Sequence, residues 1–317
     1  MEAIIPPIPT KKLLDELNEE RFFRKTNNAR NEIYIISSKN SPNVMQEIGR
    51  LREITFREAG GGTGLPVDID HYDFGDNPFE QLIVWNPEDQ SIVGGYRFKY
   101  CKGLPLDENG QVDTPSSELF HYTEKFVNEY LPYTIELGRS FVQPAYQPTK
   151  NIRKGLFSLD NLWDGLGALL NKYPETKYFF GKVTMYPNFD VKARDMILYF
   201  LEKYFPDNDN MVYPKIALQL ETKSEELENL FTKGSYEENY KILRQKVREH
   251  SENIPPLVNA YMNLSPTMIS FGTSLNPLFG NVEETAVIVT VGDIYNEKIQ
   301  RHLIYEKEEK PSHLQIK

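Results

Sequence analysis

The sequence predicts an α/β protein whose mixed sheet carries helices on both faces. Two observations carry that reading. Residues 80 to 85 and 91 to 98 form two apolar runs around the turn-forming Asn86, Pro87, Glu88, Asp89 and Gln90, a hairpin signal. Beyond them, segments of helical period alternate with short apolar runs as far as the β-branched stretch 285 to 291. With 317 residues, 39% of them hydrophobic, the chain can bury a full core.

Taken in order, residues 1 to 31 are proline-bearing and then charged; Leu13, Leu14 and Leu17 suggest a short helix in an N-terminal arm. The first clear helix is 44 to 58, where Val44, Ile48, Leu51, Ile54 and Thr55 keep helical spacing, and the glycine run Gly60, Gly61, Gly62 and Gly64 ends it in a flexible loop. After the hairpin, 102 to 117 reads as loop, 120 to 130 as a helix, 133 to 142 as a strand and 156 to 170 as a helix. A strand at 178 to 185 precedes a helix capped by Asp190 and running to about 205. Thr222 with Glu225 fits a capping box opening a charged amphipathic helix to about 250; 254 to 263 reads as a short helix and 285 to 291 as a strand. No composition break divides the chain and no solenoid-period repeat appears, so 32 to 317 is expected as one domain with a C-terminal extension from about 207.

The formal charge of −10, with no dense Lys/Arg block, argues against a nucleic-acid partner. One cysteine, Cys101, allows neither an intrachain disulfide nor a Cys-cluster zinc site, and with no evident base beside it reads as a hairpin residue. The N-terminus lacks the basic-then-apolar run of a signal peptide and no window approaches 18 apolar residues. A cytoplasmic location is expected, with peripheral contact at the inner membrane left open.

Glu136, Gly138 and Arg139 interrupt an otherwise apolar strand, where unpaired charge is expensive. Strand alternation would point Glu136 and Arg139 to opposite faces, but a glycine within a strand often marks a bulge, and one extra residue would swing both toward one cleft. A structural ion pair at a sheet edge is the other reading. Around them stand Arg52 and Phe56, four apart on one helix face, the aspartates Asp68, Asp70 and Asp73, and Arg97 at the end of Gly94-Gly95-Tyr96-Arg97. The aspartate spacing lacks the glycine and distal glutamate of a calcium loop, so ion pairs with Arg52 and Arg97 are expected in place of a metal; a solvated acidic loop is the alternative. His71, His121, His250, His302 and His313 show no paired ligand spacing, and the glycine run lacks the Lys-Ser/Thr of a phosphate loop.

The order R-x3-F, D-x-D-x2-D, G-x-Y-R and E-x2-R resembles the acyl-homoserine-lactone synthase branch of the GNAT acyltransferases. More closely, the run from Glu136 to Tyr146 is similar to the ELGRSCV-x-P-x-Y segment of the ornithine-lipid and glycine-lipid N-acyltransferases, some of which carry a hemolysin label. Pro255 to Tyr261 and Asn276 to Gly280 resemble that family's PPLL-x-x-Y and D-P-x-F segments, so the likeness runs from about 45 to 300. Two departures stand out: the glycine run replaces a tryptophan that lactone synthases carry, and Asp68 stands where glutamate is common.

The resemblance implies a GNAT-like fold that moves a long, optionally 3-hydroxylated, acyl chain from acyl carrier protein to the α-amine of glycine or ornithine in aminolipid synthesis. It implies Glu136 as the base and Arg139 as the group that orients Glu136 or holds the acceptor's carboxylate. Arg52, Phe56, Asp68, Asp70, Asp73, Arg97 and Ser140 would then shape the acceptor side. Lys150, Arg153, Lys154 and Gly155 occupy the stretch where GNAT proteins hold the donor's phosphate. That stretch lacks the full Q/R-x-x-G-x-G/A form, which favours the single phosphate of a carrier-borne pantetheine over the pyrophosphate of coenzyme A, with no resident cofactor. The same basic residues would face an acidic carrier protein. The 19 tyrosines and 18 phenylalanines fit an acyl tunnel or ordinary core packing equally. Two further readings are a lactone synthase using S-adenosylmethionine, and a silent GNAT-like module that binds carrier protein or a membrane surface.

Overall fold

The computed structural model describes residues 1 to 303 and 310 to 314. In chain order its elements are α1 (Thr10–Glu16), β1 (Phe22–Lys25), β2 (Glu32–Ile36), α2 (Pro42–Ala59), β3 (Glu80–Asn86), β4 (Ser91–Tyr100), β5 (Phe120–Tyr122), β6 (Thr134–Val142), α3 (Ile152–Gly155) and α4 (Ser158–Lys172). There follow β7 (Tyr178–Met185), α5 (Val191–Tyr204), β8 (Val212–Pro214), α6 (Ser224–Leu230), α7 (Tyr236–Glu249), α8 (Pro256–Met262), β9 (Ile269–Asn276), β10 (Val282–Thr290) and α9 (Asn296–His302). Where the sequence suggests one domain, the chain forms two compact units. The first joins Met1–Tyr100, Ile135–Thr176 and the described residues from Asn296 on; the second joins Cys101–Thr134 and Lys177–Tyr295.

In the first unit, antiparallel pairing orders the strands β1, β2, β3, β4, β6. Helices cover both faces, as the sequence predicts. Leu82 and Tyr96, partners across β3 and β4, meet α4 at Gly165, where a Cβ would lie 2.6 Å from each side chain. One residue along, Gln81 and Arg97 face the other way, and Gln81 accepts a hydrogen bond from Arg52 of α2.

Residues 1 to 31 are part of this unit, not an arm. Leu13 and Leu17 are buried, and β1 pairs with β2. Glu16 performs the capping that Ser41 does not: its carboxylate accepts from the backbone N–H of Asn43 at 3.0 Å and of Val44 at 2.8 Å, the open donors at the start of α2. At its other end α2 stops at Gly60, left-handed at φ 98°, and the loop beyond it is tied down instead of flexible. Glu53 accepts from the Thr63 N–H at 3.1 Å, the Thr63 hydroxyl at 2.7 Å and the Gly64 N–H at 2.8 Å, and pairs with Arg57 at 2.6 Å. Burial pushes the Glu53 carboxyl up, but these donors together hold it below the usual carboxylate range.

The second unit pairs β10 with β7 on one side and β9 on the other, all antiparallel, and β5 with β8 in a separate ribbon. The helix expected at 120 to 130 is a strand followed by two short helical turns. Phe120 and Tyr122 are buried while His121 is exposed, a period-two pattern that the small window conceals, and Pro132 confines the chain beyond it to a tight turn. Phe126, Phe180 and Phe271 pack against one another, with ring centroids 5.3 to 6.1 Å apart, and Cys101 is buried in the same core. The single helix expected from 222 to 250 is broken into α6 and α7. Thr222 does not cap it: its hydroxyl takes no helix N–H, and α6 opens after Lys223, while the N–H groups of Thr222 and Glu221 donate to the Asp195 carboxylate at 2.7 and 2.8 Å. The break comes where Phe231 turns into the core and Ser235 caps α7 by accepting from the Glu238 N–H at 3.2 Å. The short helix 254 to 263 and the strands at 178 to 185 and 285 to 291 appear as α8, β7 and β10, and no described helix is long and apolar enough to cross a membrane.

The close passage of β4 beside β6 depends on glycine: a Cβ on Gly94 would lie 2.3 Å from the Phe141 carbonyl oxygen. Gly94→Ala is expected to cost about 2–3 kcal/mol by urea denaturation, because backbone cannot yield as a flexible side chain can. Gly292, whose Cβ would meet nothing within 4 Å, is the control. Equal midpoints for Gly94→Ala and Gly292→Ala would sink this account of the strand pair.

Candidate active site

β6 pairs with β4 through a bulge. Gly95 stands opposite Phe141 and Arg97 opposite Gly138, so the single residue Tyr96 on β4 faces both Arg139 and Ser140 on β6. The left-handed residue is Arg139, at φ 51°, and not the adjacent glycine. A non-glycine residue held there costs about 1 kcal/mol, which its ionic contacts must offset. Gly138 leaves room for Arg97, whose side chain would lie 3.5 Å from an added Cβ. The bulge puts Arg139 on the same face as Gly138 and Glu136, the outcome anticipated from the glycine, although the strained position is one residue later.

On that face three guanidinium groups meet three carboxylates. Arg52 of α2 lies 3.4 Å from Asp73 and donates to Gln81, which in turn donates to Asp73 at 2.9 Å. Arg97 of β4 pairs with Asp70 at 2.6 Å and Asp73 at 3.5 Å. Arg139 of β6 pairs with Asp68 at 2.9 Å and lies 3.7 Å from Asp70. Thus the acidic segment is an ion-paired strap, not a solvated loop. Asp70 and Asp73 also cap the turn between them, each accepting from the other's end of it. Tyr72 and Phe79 flank the Arg97 guanidinium, with ring centroids 5.6 and 5.5 Å away.

The side chains of Arg52 and Arg97 are 0% and 2% exposed, and Arg139 alone keeps a partly open side chain, at 17%. Glu136 is buried two residues before Gly138, across from Lys99, which donates to the carbonyls of Asn77 at 2.8 Å and Pro78 at 3.1 Å. Phe56 is buried one turn beyond Arg52, and Ser140 is half-buried inside the bulge.

Burial sets the protonation preferences of this cluster. It pushes the Asp68 carboxyl above its usual range, against the pull of Arg139 and Arg52. It lowers the Arg52 guanidinium, against Asp73 and Asp68. At Asp70 burial is outweighed by the charge and hydrogen bond of Arg97, with Arg139 and Arg52 adding to them, and the carboxyl is held below its usual range. Arg97 is likewise raised: burial opposes its charge, but Asp73 and Asp70 overcome that.

Lys150, Arg153, Lys154 and Gly155 are not part of this cluster. They lie where the chain turns from β6 into α3. Lys150 pairs with Glu58 and Lys154 with Asp89, each at 2.6 Å, and Arg153 is exposed. Gly155 packs against the Gln147–Pro148 backbone, with a would-be Cβ 2.4 Å from the Pro148 nitrogen. The sequence reading missed Gln81 and Lys99. Their one signal is parity, since Gln81 is the cross-strand partner of Arg97, and Lys99 follows Arg97 on the same face of β4. No group of three or more metal-ligating side chains occurs among the described residues.

A model of the acetyltransferase (GNAT) domain matches residues 51 to 155, a span that holds every one of these side chains from Arg52 to Gly155. Across 303 residues, 96% of the chain, the sequence is 55% identical to the glycine N(alpha)-acyltransferase of Bacteroides thetaiotaomicron, covering 90% of that protein. It is 54% identical to the glycine N(alpha)-acyltransferase of Phocaeicola vulgatus, again over 96% of the chain and 93% of the relative. No solved structure matches.

Asp70 gives a pH signature. Its folded-state carboxyl is held below the unfolded value of about 3.9, so its contribution to stability is present above that pH and is lost as pH falls through the folded value. The stability gap between wild type and Asp70→Asn should therefore be widest above about pH 4 and close on further acidification. Urea midpoints at pH 7, 5 and 3 check it; a gap that stays constant with pH would remove Asp70 from the ionic strap.

Proposed function

We propose, from the premise that the chain belongs to the GNAT N-acyltransferase family and is an acyltransferase, that it moves a long fatty acyl group from the phosphopantetheine thioester of acyl carrier protein to the α-amine of glycine. The observation that carries this reading is the placement of Glu136 and Arg139 on one face of β6 by the bulge, with Arg139 the open member of the arginine cluster. The glycine named for both relatives supports glycine over ornithine as the acceptor.

Chemically, the two residues serve the two ends of one small amino acid. Arg139 turns its partly open guanidinium to the acceptor carboxylate, as guanidinium does bidentately, and so fixes the amine near Glu136. Glu136 first takes the ammonium proton of the zwitterion and releases it to solvent, then takes a second proton from the nitrogen as that nitrogen bonds to the thioester carbonyl carbon. The C–S bond then breaks, the amide forms, and the proton leaves on the pantetheine thiol. Asp68 and Asp70 hold Arg139 in its left-handed position and act through it as positioning residues.

The donor side rests on α3 and the turn before it. Arg153 is exposed beside Ile152, 78% exposed, and Leu156, 64% exposed, a basic and apolar edge of the kind an acidic carrier protein would cover. The lactone-synthase reading has no such support, since both relatives are named for acyl transfer to glycine.

The reaction is tested by mass spectrometry of purified protein with 3-hydroxypalmitoyl carrier protein and an equimolar pool of amino acids. N-acylglycine should dominate with the wild type, and Glu136→Gln should lower kcat by about 10²- to 10⁴-fold. Arg139→Lys should raise the KM for glycine more than it lowers kcat. A Glu136→Gln enzyme of wild-type rate would remove Glu136 as the base. Faster turnover with palmitoyl-coenzyme A than with the carrier would overturn the donor and leave the acyl transfer standing.

A further inference from the structure

A concavity in the second unit has no part in the reaction above. Tyr240, Arg244 and Arg248 of α7, with Asn253 and Ile254 of the segment that leads into α8 and Asn259 of α8 itself, line a volume of about 250 Å³. Tyr240, Arg244 and Arg248 are spaced four apart on one helix face, and Arg244 lies over the Tyr240 ring, 5.9 Å from its centroid. The Tyr240 hydroxyl donates to the Asn259 side-chain oxygen and accepts from Asn263 at 3.2 Å. This occupies the oxygen of Asn259 and leaves its NH₂ to be offered. The concavity thus presents two guanidinium forks and the carboxamides of Asn253 and Asn259, and no lining residue is acidic.

That arrangement is unusual in a chain with 46 acidic residues against 36 lysines and arginines. Elsewhere in the same unit several cations find carboxylates: Lys125 with Asp209 at 2.7 Å, Arg194 with Glu283 at 2.7 Å, and Lys246, on α7 itself, with Glu249 at 2.8 Å. Among the described residues neither Arg244 nor Arg248 pairs with a carboxylate. Two exposed guanidinium groups a turn apart repel each other unless something negative lies between them. A guanidinium fork matches the planar edge of a phosphate oxygen pair, and flanking amide donors complete such a shell.

We propose that this concavity binds a phosphate monoester, with Arg244 and Arg248 gripping the phosphate and Asn253 and Asn259 donating to its remaining oxygens. The volume leaves space for the ester arm beside the phosphate. The proline pair Pro255-Pro256 then has a purpose beyond packing: it sets the backbone that brings Asn253 and Asn259 to the arginines.

The test is isothermal titration of the full chain at low ionic strength with inorganic phosphate, 4′-phosphopantetheine and glycerol 3-phosphate in turn. Saturable binding of at least one probe is expected, weakened about tenfold or more in Arg244→Gln/Arg248→Gln. Arg244→Lys/Arg248→Lys should bind between the two, since it keeps the charge and loses the fork. Both arginines are exposed, so an unchanged circular dichroism spectrum and melting temperature are expected of these variants; the single substitutions serve if a double variant is unstable. The tightest probe identifies the source: 4′-phosphopantetheine a free pantetheine monoester, glycerol 3-phosphate a glycerol-type monoester, equal affinities a free phosphate. No saturable binding of any probe, or equal affinity in wild type and the glutamine variant, overturns the proposal. Binding is read without acyl transfer, so its failure and that of the proposed reaction are seen separately.

Discussion

Three guanidinium groups and three carboxylates share one interior face, and neither set is tolerable there without the other. Burial works against Arg52 and Arg97 as charges and against Asp68 as an anion; partners drawn from different parts of the chain oppose it, and at Arg97 they prevail. Arg52 comes from a helix, Arg97 and Arg139 from neighbouring strands, and the aspartates from the strap between α2 and β3. Because the strap supplies all three anions, it cannot lift from the sheet without leaving three arginines uncompensated. The cluster therefore fixes the strap, and the strap fixes how much of each arginine stays reachable.

The bulge between β4 and β6 follows from the same demand. An unbroken strand would send Arg139 to the face opposite Glu136, away from Asp68 and Asp70. The extra residue returns it, at the expense of a left-handed arginine, and the two ion pairs to Asp68 and Asp70 are what that strained backbone secures. Gly94 accommodates it from the β4 side, since a Cβ there would lie 2.3 Å from the Phe141 carbonyl oxygen of β6, while a Cβ on Gly95 would lie 2.5 Å from the Leu82 carbonyl oxygen of β3. Strain, Gly94 and ionic cluster are one construction.

What could be read in the sequence follows how local each signal is. The β3–β4 hairpin, α2, α5 and β7 announce themselves through turn residues, helical period and the Asp190 cap, all within a few residues. The strand at 120 to 122 could not be told from helix in so short a window, since its alternation is only three residues long and its partner, β8, lies some 90 positions away. The break between α6 and α7 is concealed for a related reason: Thr222 and Glu225 read as one helix start, while the second start depends on Phe231 turning into the core before the Ser235 cap. In the site, Arg52, Asp70, Asp73 and Arg97 stood out as charges in apolar surroundings, and their pairing was anticipated. Gln81 and Lys99 did not stand out, because one polar residue in a strand usually points to solvent. Only the register with Arg97 and Glu136 shows that these two point inward.

Charge balance limits what the site can bind. Arg52, Arg97 and Arg139 are matched one for one by Asp68, Asp70 and Asp73, so the cluster imposes no large net field on Glu136, two residues from its edge on the same strand face. Lys99 stands opposite Glu136 across the strand pair, a cation that also donates to the Asn77 carbonyl and side-chain oxygen and to Pro78. A surplus of positive charge here would stabilise the glutamate anion and weaken it as a base; a surplus of negative charge would trap the acceptor as its ammonium. On the proposed reading, a zwitterion such as glycine would leave the balance unchanged on entering, its carboxylate to Arg139 and its ammonium to Glu136. Ornithine would bring one more positive charge into the cleft, and no described carboxylate of the cluster is left over to meet it. On the proposed reading, the one-to-one pairing of the strap with its arginines favours an acceptor without a charged side chain, such as glycine, over ornithine.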